Sequence, residues 1–366
     1  MFNYAGSYDD AWTIGHIGGW ETLSATNMSH MFSGAGKFSS VFNIGDLSFW
    51  YVNNVTNMAS MFDNCGTRSN YWYVGDLSYW ETGNVIDMSY MFLSAGLNNE
   101  NFMLDLSEWD VSSAVYMQYM FAECGYSALE WTVGDLENWE PSSAVNMSYM
   151  FGFAAYNSSE YTYIGDLGGW DVSNVQDMSF MFFYYGYSSG NWYLGDLSYW
   201  DTGNVTTMTY MFAFAASINM DMFMLGNIGN WDTSNVRNMS YMFYNAGMCC
   251  SLVDIGNLVG WDTGNVTNMS YLFAGFGKYS FGFDLGDISY WDVTSVTNMN
   301  SLFRDIALNC DDFYGLNLMG WNVINVTDMS YMFCNTGKYG IFNYIIPISL
   351  SIIKSLLYFA TRSVRQ

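Results

Sequence analysis

The segment WDTGNVTNMSYLF, from Trp261 to Phe273, has close copies upstream and downstream of it in the 366-residue chain. Each copy begins with a tryptophan, and we call the eleven the key tryptophans: Trp20, Trp50, Trp80, Trp109, Trp139, Trp170, Trp200, Trp231, Trp261, Trp291 and Trp321. They follow one another at intervals of 29 to 31 residues. A fixed period of this size is typical of repeat arrays, in which each repeat stacks on its neighbours. We therefore predict one elongated array over residues 1–340 instead of several globular domains.

Apolar residues recur at fixed distances after each key tryptophan. The residue eight positions on is always Met, the residue eleven on is Met or Leu, and the residue twelve on is always Phe. Together with the Val or Ala five positions on, these positions match one face of a helix. A small or turn-forming residue three positions on can start such a helix, and the frequent glycine sixteen positions on can end it. The pattern predicts one short helix of about three turns in each repeat.

The residues before each key tryptophan are typical of a strand. A large aromatic residue usually lies eight positions before it and an aliphatic residue six positions before it, as with Trp192 and Leu194. The residue between them varies, which gives the period-two alternation of a strand. The Trp, Met and Phe positions are expected to form a stacked core. We predict an α/β solenoid like that of leucine-rich repeats, with about eleven strand-turn-helix repeats and parallel stacking of the strands.

Three of the copies carry a resemblance to a known family. They read WDVSNVQDMSFMF (170–182), WDTSNVRNMSYMF (231–243) and WNVINVTDMSYMF (321–333). These strings resemble the short repeat of the BspA-like leucine-rich surface proteins, a repeat also common in mycoplasma surface lipoproteins. The resemblance implies a leucine-rich-like solenoid on a cell surface, used for adhesion or for contact with a host or neighbouring cell. The repeat here is longer than that of the family, by residues such as Tyr184–Gly190.

The chain is strongly acidic, with 9 Lys and Arg against 34 Asp and Glu and a net charge of -25. This charge excludes nucleic acid as an expected partner. Many of the acidic residues lie four positions before or one position after a key tryptophan, as Asp196 and Asp201 do. One interpretation is that they accept backbone N–H groups in turns and at helix starts. The alternative is Ca²⁺ held between neighbouring repeats, although the sequence has no EF-hand spacing.

Residues for catalysis are scarce. The chain has two histidines, His16 and His30, so a Ser-His-Asp or multi-histidine metal centre is not expected. Carboxylates recur in every repeat and mark no single acid and base. The six cysteines do not align in neighbouring repeats, and we predict no disulfide framework. We predict a protein that is not an enzyme, with no catalytic residue, metal site or cofactor.

The two ends of the chain depart from the array. Met1 and Phe2 occupy the Met-Phe positions of a repeat, so we expect the chain to begin within a repeat, as a truncated protein that has lost a leader. The pattern stops before residues 341–366, which are apolar and end in basic residues. This segment is predicted to be a cap of the array or a membrane anchor. A membrane contact is expected only through it or through a missing leader.

The array and the resemblance predict a non-enzymatic protein at the cell surface or outside the cell. Its partner is expected to be a protein or glycan of another cell or of a matrix. The working face should be the strand position seven residues before the key tryptophan, because aromatics on a rigid sheet give contact area at a low entropic cost. The candidate binding residues at this position are Tyr73, Tyr163, Tyr193, Met224 and Tyr314. The alternative is a structural protein that assembles end to end into a surface layer or sheath.

Overall fold

The structure, a computed structural model, describes residues 1–218, 222–310, 312–313 and 316–338. The chain divides into two compact units, the first formed by Met1–Val175 with Phe180–Leu194 and the second by Gln176–Ser179 with the residues from Gly195 onward. In each unit one repeat forms one turn of a parallel β-solenoid. The segment predicted as a cap or anchor, 341–366, lies outside the described residues.

The first unit contains two parallel sheets. In one of them β1 (Ala11–Thr13) pairs with β2 (Val41–Asn43), and in the other β3 (Asn101–Met103), β4 (Glu130–Thr132) and β5 (Tyr161–Tyr163) lie in this order. Residues at the same position of neighbouring repeats face each other across each pair. In four of the five strands the middle residue is buried and both flanking residues are exposed. The predicted strand and its parallel stacking are confirmed for these five repeats, whereas the equivalent residues around Trp72 and Trp192 form no strand.

The second unit contains one parallel sheet of four strands. It consists of β6 (Met222–Met224), β7 (Leu252–Asp254), β8 (Gly282–Phe283) and β9 (Asp312–Phe313), in this order. Single turns of 3₁₀-helix directly precede five key tryptophans, one in the first unit and four in the second: Leu167–Gly169, Leu197–Tyr199, Ile228–Asn230, Leu258–Gly260 and Ile288–Tyr290. No helix in the described part of the chain is long and apolar enough to cross a bilayer.

The predicted helix after each key tryptophan is wrong. The described residues contain no α-helix, and a run of hydrogen-bonded turns occupies this position. The Met31 N–H donates to the Met28 carbonyl within the repeat, at 3.2 Å. The alternate N–H groups of His30 and Phe32 donate to carbonyls of the next repeat, each at 2.9 Å. Backbone hydrogen bonds therefore run both within a repeat and between repeats, which an α-helix does not allow.

Left-handed backbone explains how helical spacing arises without a helix. Tyr149, ten residues after its key tryptophan, has a φ of 57°, and Phe153, four residues later, has a φ of 58°. Such residues interrupt an α-helix, because each of its residues needs a negative φ. Backbone hydrogen bonds from residue i to residue i−3, such as the one from Met31 to Met28, still place roughly every third side chain on the same side of the chain. The Met and Phe positions thus face the core with the spacing that a helix would give.

The core consists of side-chain columns that continue from repeat to repeat within each unit. In the first unit the rings of Phe32 and Phe62 stack at a centroid distance of 5.6 Å. The rings of Trp80 and Trp109 are nearly parallel at 6.0 Å. The indole N–H of Trp80 donates to the Leu47 carbonyl of the preceding repeat at 3.1 Å, so its burial leaves no donor unpaired. The prediction that these positions form the core is confirmed.

A charged residue in the Met column, the position eight residues after each key tryptophan, tests whether this column belongs to the core. Met178 is fully buried, and Met178→Asp is expected to lower the free energy of unfolding by about 3 kcal/mol or more, because the carboxylate is buried without a partner. Met319→Asp makes the same chemical change at an exposed position and should leave the melt almost unchanged. Equal thermal and denaturant melts for both variants would show that the Met column is not core.

Candidate binding face

The strand position predicted as the working face is exposed in most of the repeats in which it is described, but Thr132, at this position in β4, is buried. Tyr73, Tyr163 and Tyr193 of the first unit and Met224 of the second are between 36% and 56% exposed. The fifth residue of the prediction, Tyr314, lies outside the described residues. The buried neighbours of Tyr163, Thr162 and Ile164, point to the core, as the period-two alternation requires.

A second exposed column on the same face was missed from the sequence. It lies two residues earlier along the chain and includes Tyr71 and Tyr161 in the first unit. The rings of Tyr161 and Tyr163 are 6.3 Å apart, and those of Tyr71 and Tyr73 are 6.2 Å apart. The alternation could have identified these residues, because strand residues two positions apart share a face. In these two repeats, therefore, the exposed face carries two tyrosines instead of one.

Carboxylates meet this aromatic face in the first unit. A shallow groove of about 550 Å³ runs over the outer side of several repeats there. We call it the first-unit groove, and its aromatic and acidic lining consists of Tyr73, Tyr161, Tyr163, Asp76, Asp105 and Asp135. The three aspartates lie four residues before successive key tryptophans. The groove thus combines tyrosine rings with negative charge.

Hydrogen bonds fix tyrosines of this face to carboxylates of the preceding repeat. The Tyr163 hydroxyl donates to Asp135 at 2.8 Å, and the Tyr193 hydroxyl donates to Asp166 at 3.1 Å. The second oxygen of Asp135 accepts the Glu137 N–H at 3.0 Å. The hydrogen bond to Asp135 raises the pKa of Tyr163 to about 12, since it stabilises the neutral phenol. Each carboxylate thus holds both its own turn and a ring of the next repeat.

Hydrogen bonds support the turn interpretation of both acidic columns. Asp166 accepts the N–H of Gly168 at 2.8 Å, and Asp110 accepts the N–H of Ser112 at 3.0 Å. Hydrogen bonds from the Ser112 hydroxyl and N–H hold the pKa of Asp110 below its usual range. The predicted α-helix start after the key tryptophan is wrong, because a run of turns replaces that helix. Four positions before the key tryptophan, Asp166 does cap a helical turn, the 3₁₀ segment Leu167–Gly169. Among the described residues, no group of three or more His, Cys, Asp or Glu is arranged to hold a metal ion.

A comparable groove lies in the second unit. It also has a volume of about 550 Å³, and we call it the second-unit groove. Its lining includes Leu252 and Phe281 together with Asp254, Asp284 and Asp312. Asp254 and Asp284 each accept a backbone N–H two residues on, at 2.9 and 2.8 Å. The same combination of apolar surface and turn-forming carboxylates therefore occurs in each unit.

Two of the thiols, those of Cys65 and Cys124, belong to the buried core. No two of the six cysteines, all of which the structure describes, form a disulfide. Cys65 and Cys124 are fully buried, and burial raises the pKa of both thiols. A buried thiol that stays protonated is a weak nucleophile and packs as a small apolar side chain.

A comparison with known protein families identifies the repeat. The family model described as "Mycoplasma protein of unknown function, DUF285" matches residues 1–96, 69–184, 153–249 and 248–344. The chain belongs to this family. The four matches follow one another along nearly the whole array, so the DUF285 repeat is the one that builds the β-solenoid. No curated protein and no solved structure matches the chain.

This assignment confirms the mycoplasma-type repeat that the sequence resembled. The finer likeness, to the BspA-like leucine-rich proteins, stays a prediction. The family description gives no activity, so the function of this DUF285 protein has to be argued from its surface.

The hydrogen bond between Tyr163 and Asp135 can be tested through the pKa of Tyr163. Asp135→Asn removes the charge that opposes phenolate formation, so the pKa of Tyr163 should fall from about 12 towards its ordinary value of 10.0. Carbon NMR of labelled tyrosine would follow this ring over the alkaline range in which the fold persists. Asp166→Asn, which alters the partner of Tyr193, serves as the control and should leave Tyr163 unchanged. An unshifted Tyr163 in the Asp135 variant would contradict the hydrogen bond.

Proposed function

We propose that this DUF285 protein is a non-enzymatic surface protein that binds a protein or glycan of another cell or matrix. The binding surface is the outer face of the strands, as in the first-unit groove. The observation that carries the proposal is the set of exposed tyrosines held in place by carboxylates of the preceding repeat. The cell-surface location rests on the resemblance of the repeat to BspA-like surface proteins.

Rigid placement favours binding through these rings. Tyr161 and Tyr163 belong to β5, which pairs with β4 in a parallel ladder. The Tyr163 ring is further restrained by Asp135, so little side-chain freedom is left to lose when a partner binds. Tyrosine also offers an apolar ring and a polar tip, which suits both proteins and glycans.

The carboxylates of this face suit binding better than catalysis. They occupy equivalent positions in neighbouring repeats and accept backbone amides in their turns, as Asp76 and Asp135 do. An acid–base mechanism needs two carboxyl groups in different environments, one protonated and one ionised. Equivalent side chains in a row instead favour a contact that extends over several repeats.

The alternative is a self-assembling surface-layer or sheath protein, and it is supported by the way in which the repeats stack on one another. Met58 donates to Asp87 and Met88 donates to Tyr116, each through the backbone, so successive repeats present the same surface to each other. Head-to-tail contacts between chains on such a surface would give open filaments. Filaments that grow with protein concentration in electron micrographs would favour this alternative, and a monomer that binds a defined partner would favour adhesion.

Removal of two rings tests the adhesion proposal. Tyr163→Ala combined with Tyr193→Ala should weaken binding to cells or to immobilised matrix proteins and glycans by about 2 kcal/mol or more. The free energy of unfolding should change by no more than about 1 kcal/mol, because neither ring enters the core. A control with Tyr79→Ala and Tyr199→Ala removes two well-exposed rings from another column. Full adhesion by the first variant, or equal losses in both, would refute this role.

A further inference from the structure

We infer that the first-unit groove binds a cationic peptide segment, with Arg or Lys side chains placed between its tyrosine rings and its carboxylates. The inference rests on the proposed function and names the chemistry of the partner. It starts from the combination of tyrosines Tyr73, Tyr161 and Tyr163 with Asp76, Asp105 and Asp135 around one groove.

The carboxylates of this groove accept hydrogen bonds within the protein. Asp76 and Asp105 accept the N–H groups of Ser78 and Ser107, and among the residues that the structure describes no Lys, Arg or His lines the groove. The ion pairs found among the described residues involve Asp305, in the second unit. A carboxylate has about four sites for accepting hydrogen bonds, so each aspartate can accept further donors from a bound cation.

The rings supply the second part of the site. Tyr73, Tyr161 and Tyr163 are each partly exposed, so a cation can approach a ring while it contacts a neighbouring carboxylate. The face of a tyrosine ring attracts a cation, and a guanidinium also stacks on it while its N–H fork meets a carboxylate. The groove volume of about 550 Å³ leaves room for several side chains of a partner.

The second unit contains an internal example of this arrangement. The guanidinium of Arg304 lies over the ring of Tyr331, 5.6 Å from its centroid. The same side chain lies 3.5 Å from a carboxylate oxygen of Asp305. A cation between a tyrosine and an aspartate is thus a contact that this repeat already forms, and the first-unit groove offers the same two groups to a partner.

The negative charge of the chain favours a cationic partner. The chain has a net charge of -25, and a cationic segment is attracted over a long range while an acidic or anionic one is repelled. The carboxylates and the rings extend over several repeats, so a peptide with several basic side chains gains from multiple contacts. A small polyamine is the competing occupant, and the experiment separates the two.

The probe is a labelled octapeptide of alternating arginine and serine, with a twin in which citrulline replaces each arginine. Its binding to the full chain is measured by fluorescence anisotropy. The groove variant combines Asp76→Asn, Asp105→Asn and Asp135→Asn. It keeps the turns, because Asn257 occupies the equivalent position of another repeat and accepts the Val259 N–H at 3.0 Å. The matched control removes the same charge outside the groove, with Asp110→Asn, Glu140→Gln and Asp171→Asn.

We expect the wild type and the control variant to bind the arginine peptide, with an affinity that falls as salt rises. The groove variant should bind about tenfold more weakly, and the citrulline twin should bind weakly to all three proteins. Equal binding of the two peptides, equal losses in both variants, or no binding by the wild type would overturn the inference. If spermidine binds the same carboxylates as tightly as the peptide does, the inference of a peptide ligand is wrong and a small polyamine is the ligand of the groove.

Adhesion assays on the same variants separate this inference from the proposed function. Adhesion that depends on Tyr163 and Tyr193 but not on the three aspartates, with no peptide binding, would sink the inference and leave the proposed function standing. Suppose instead that adhesion needs neither the two tyrosines nor the three aspartates, while the arginine peptide still binds in the groove. That result would refute the proposed function and leave the binding of a cationic segment standing.

Discussion

The fold depends on the backbone hydrogen bonds that join equivalent positions of neighbouring repeats. In the turn region alternate N–H groups donate to the next repeat, and the remaining ones close turns within their own repeat. This pattern forces each residue to sit against its counterpart, which is why tryptophan meets tryptophan and phenylalanine meets phenylalanine. The side-chain columns follow from this register, since a shift by one residue would exchange buried and exposed positions.

The sequence predicts the period, the strands and the buried columns, but it does not predict the backbone between Met28 and Phe32. Apolar spacing reports which side chains share a side, and a helix and a run of turns satisfy it equally well. The deciding feature is the positive φ at positions such as Tyr149, where a tyrosine has no intrinsic preference for it. Hydrogen bonds to the next repeat stabilise this conformation against a strain of about 1 to 2 kcal/mol per residue.

At the candidate site, too, the sequence predicts some features and not others. The period-two alternation in the sequence correctly predicts that Tyr163 and Tyr193 are exposed, although only Tyr163 lies in a strand. The contacts of these rings with Asp135 and Asp166 could not be predicted, because each joins two repeats and depends on how far the tyrosine reaches across the stack. The sequence showed the acidic residues as a column, and the structure shows that this column and the aromatic one form a single surface.

The equivalence of neighbouring repeats has a consequence at the level of the gene. Within a unit, a repeat leaves the same donors and acceptors for the repeat on either side of it. Insertion or loss of a whole repeat by recombination therefore leaves every hydrogen bond with a partner, whereas insertion of one residue is tolerated only where a turn absorbs it. The length of the array can thus change in steps of about thirty residues without a new core, because stability in such stacks is close to a sum over repeats and their interfaces. The number of repeats can therefore vary at little cost to folding.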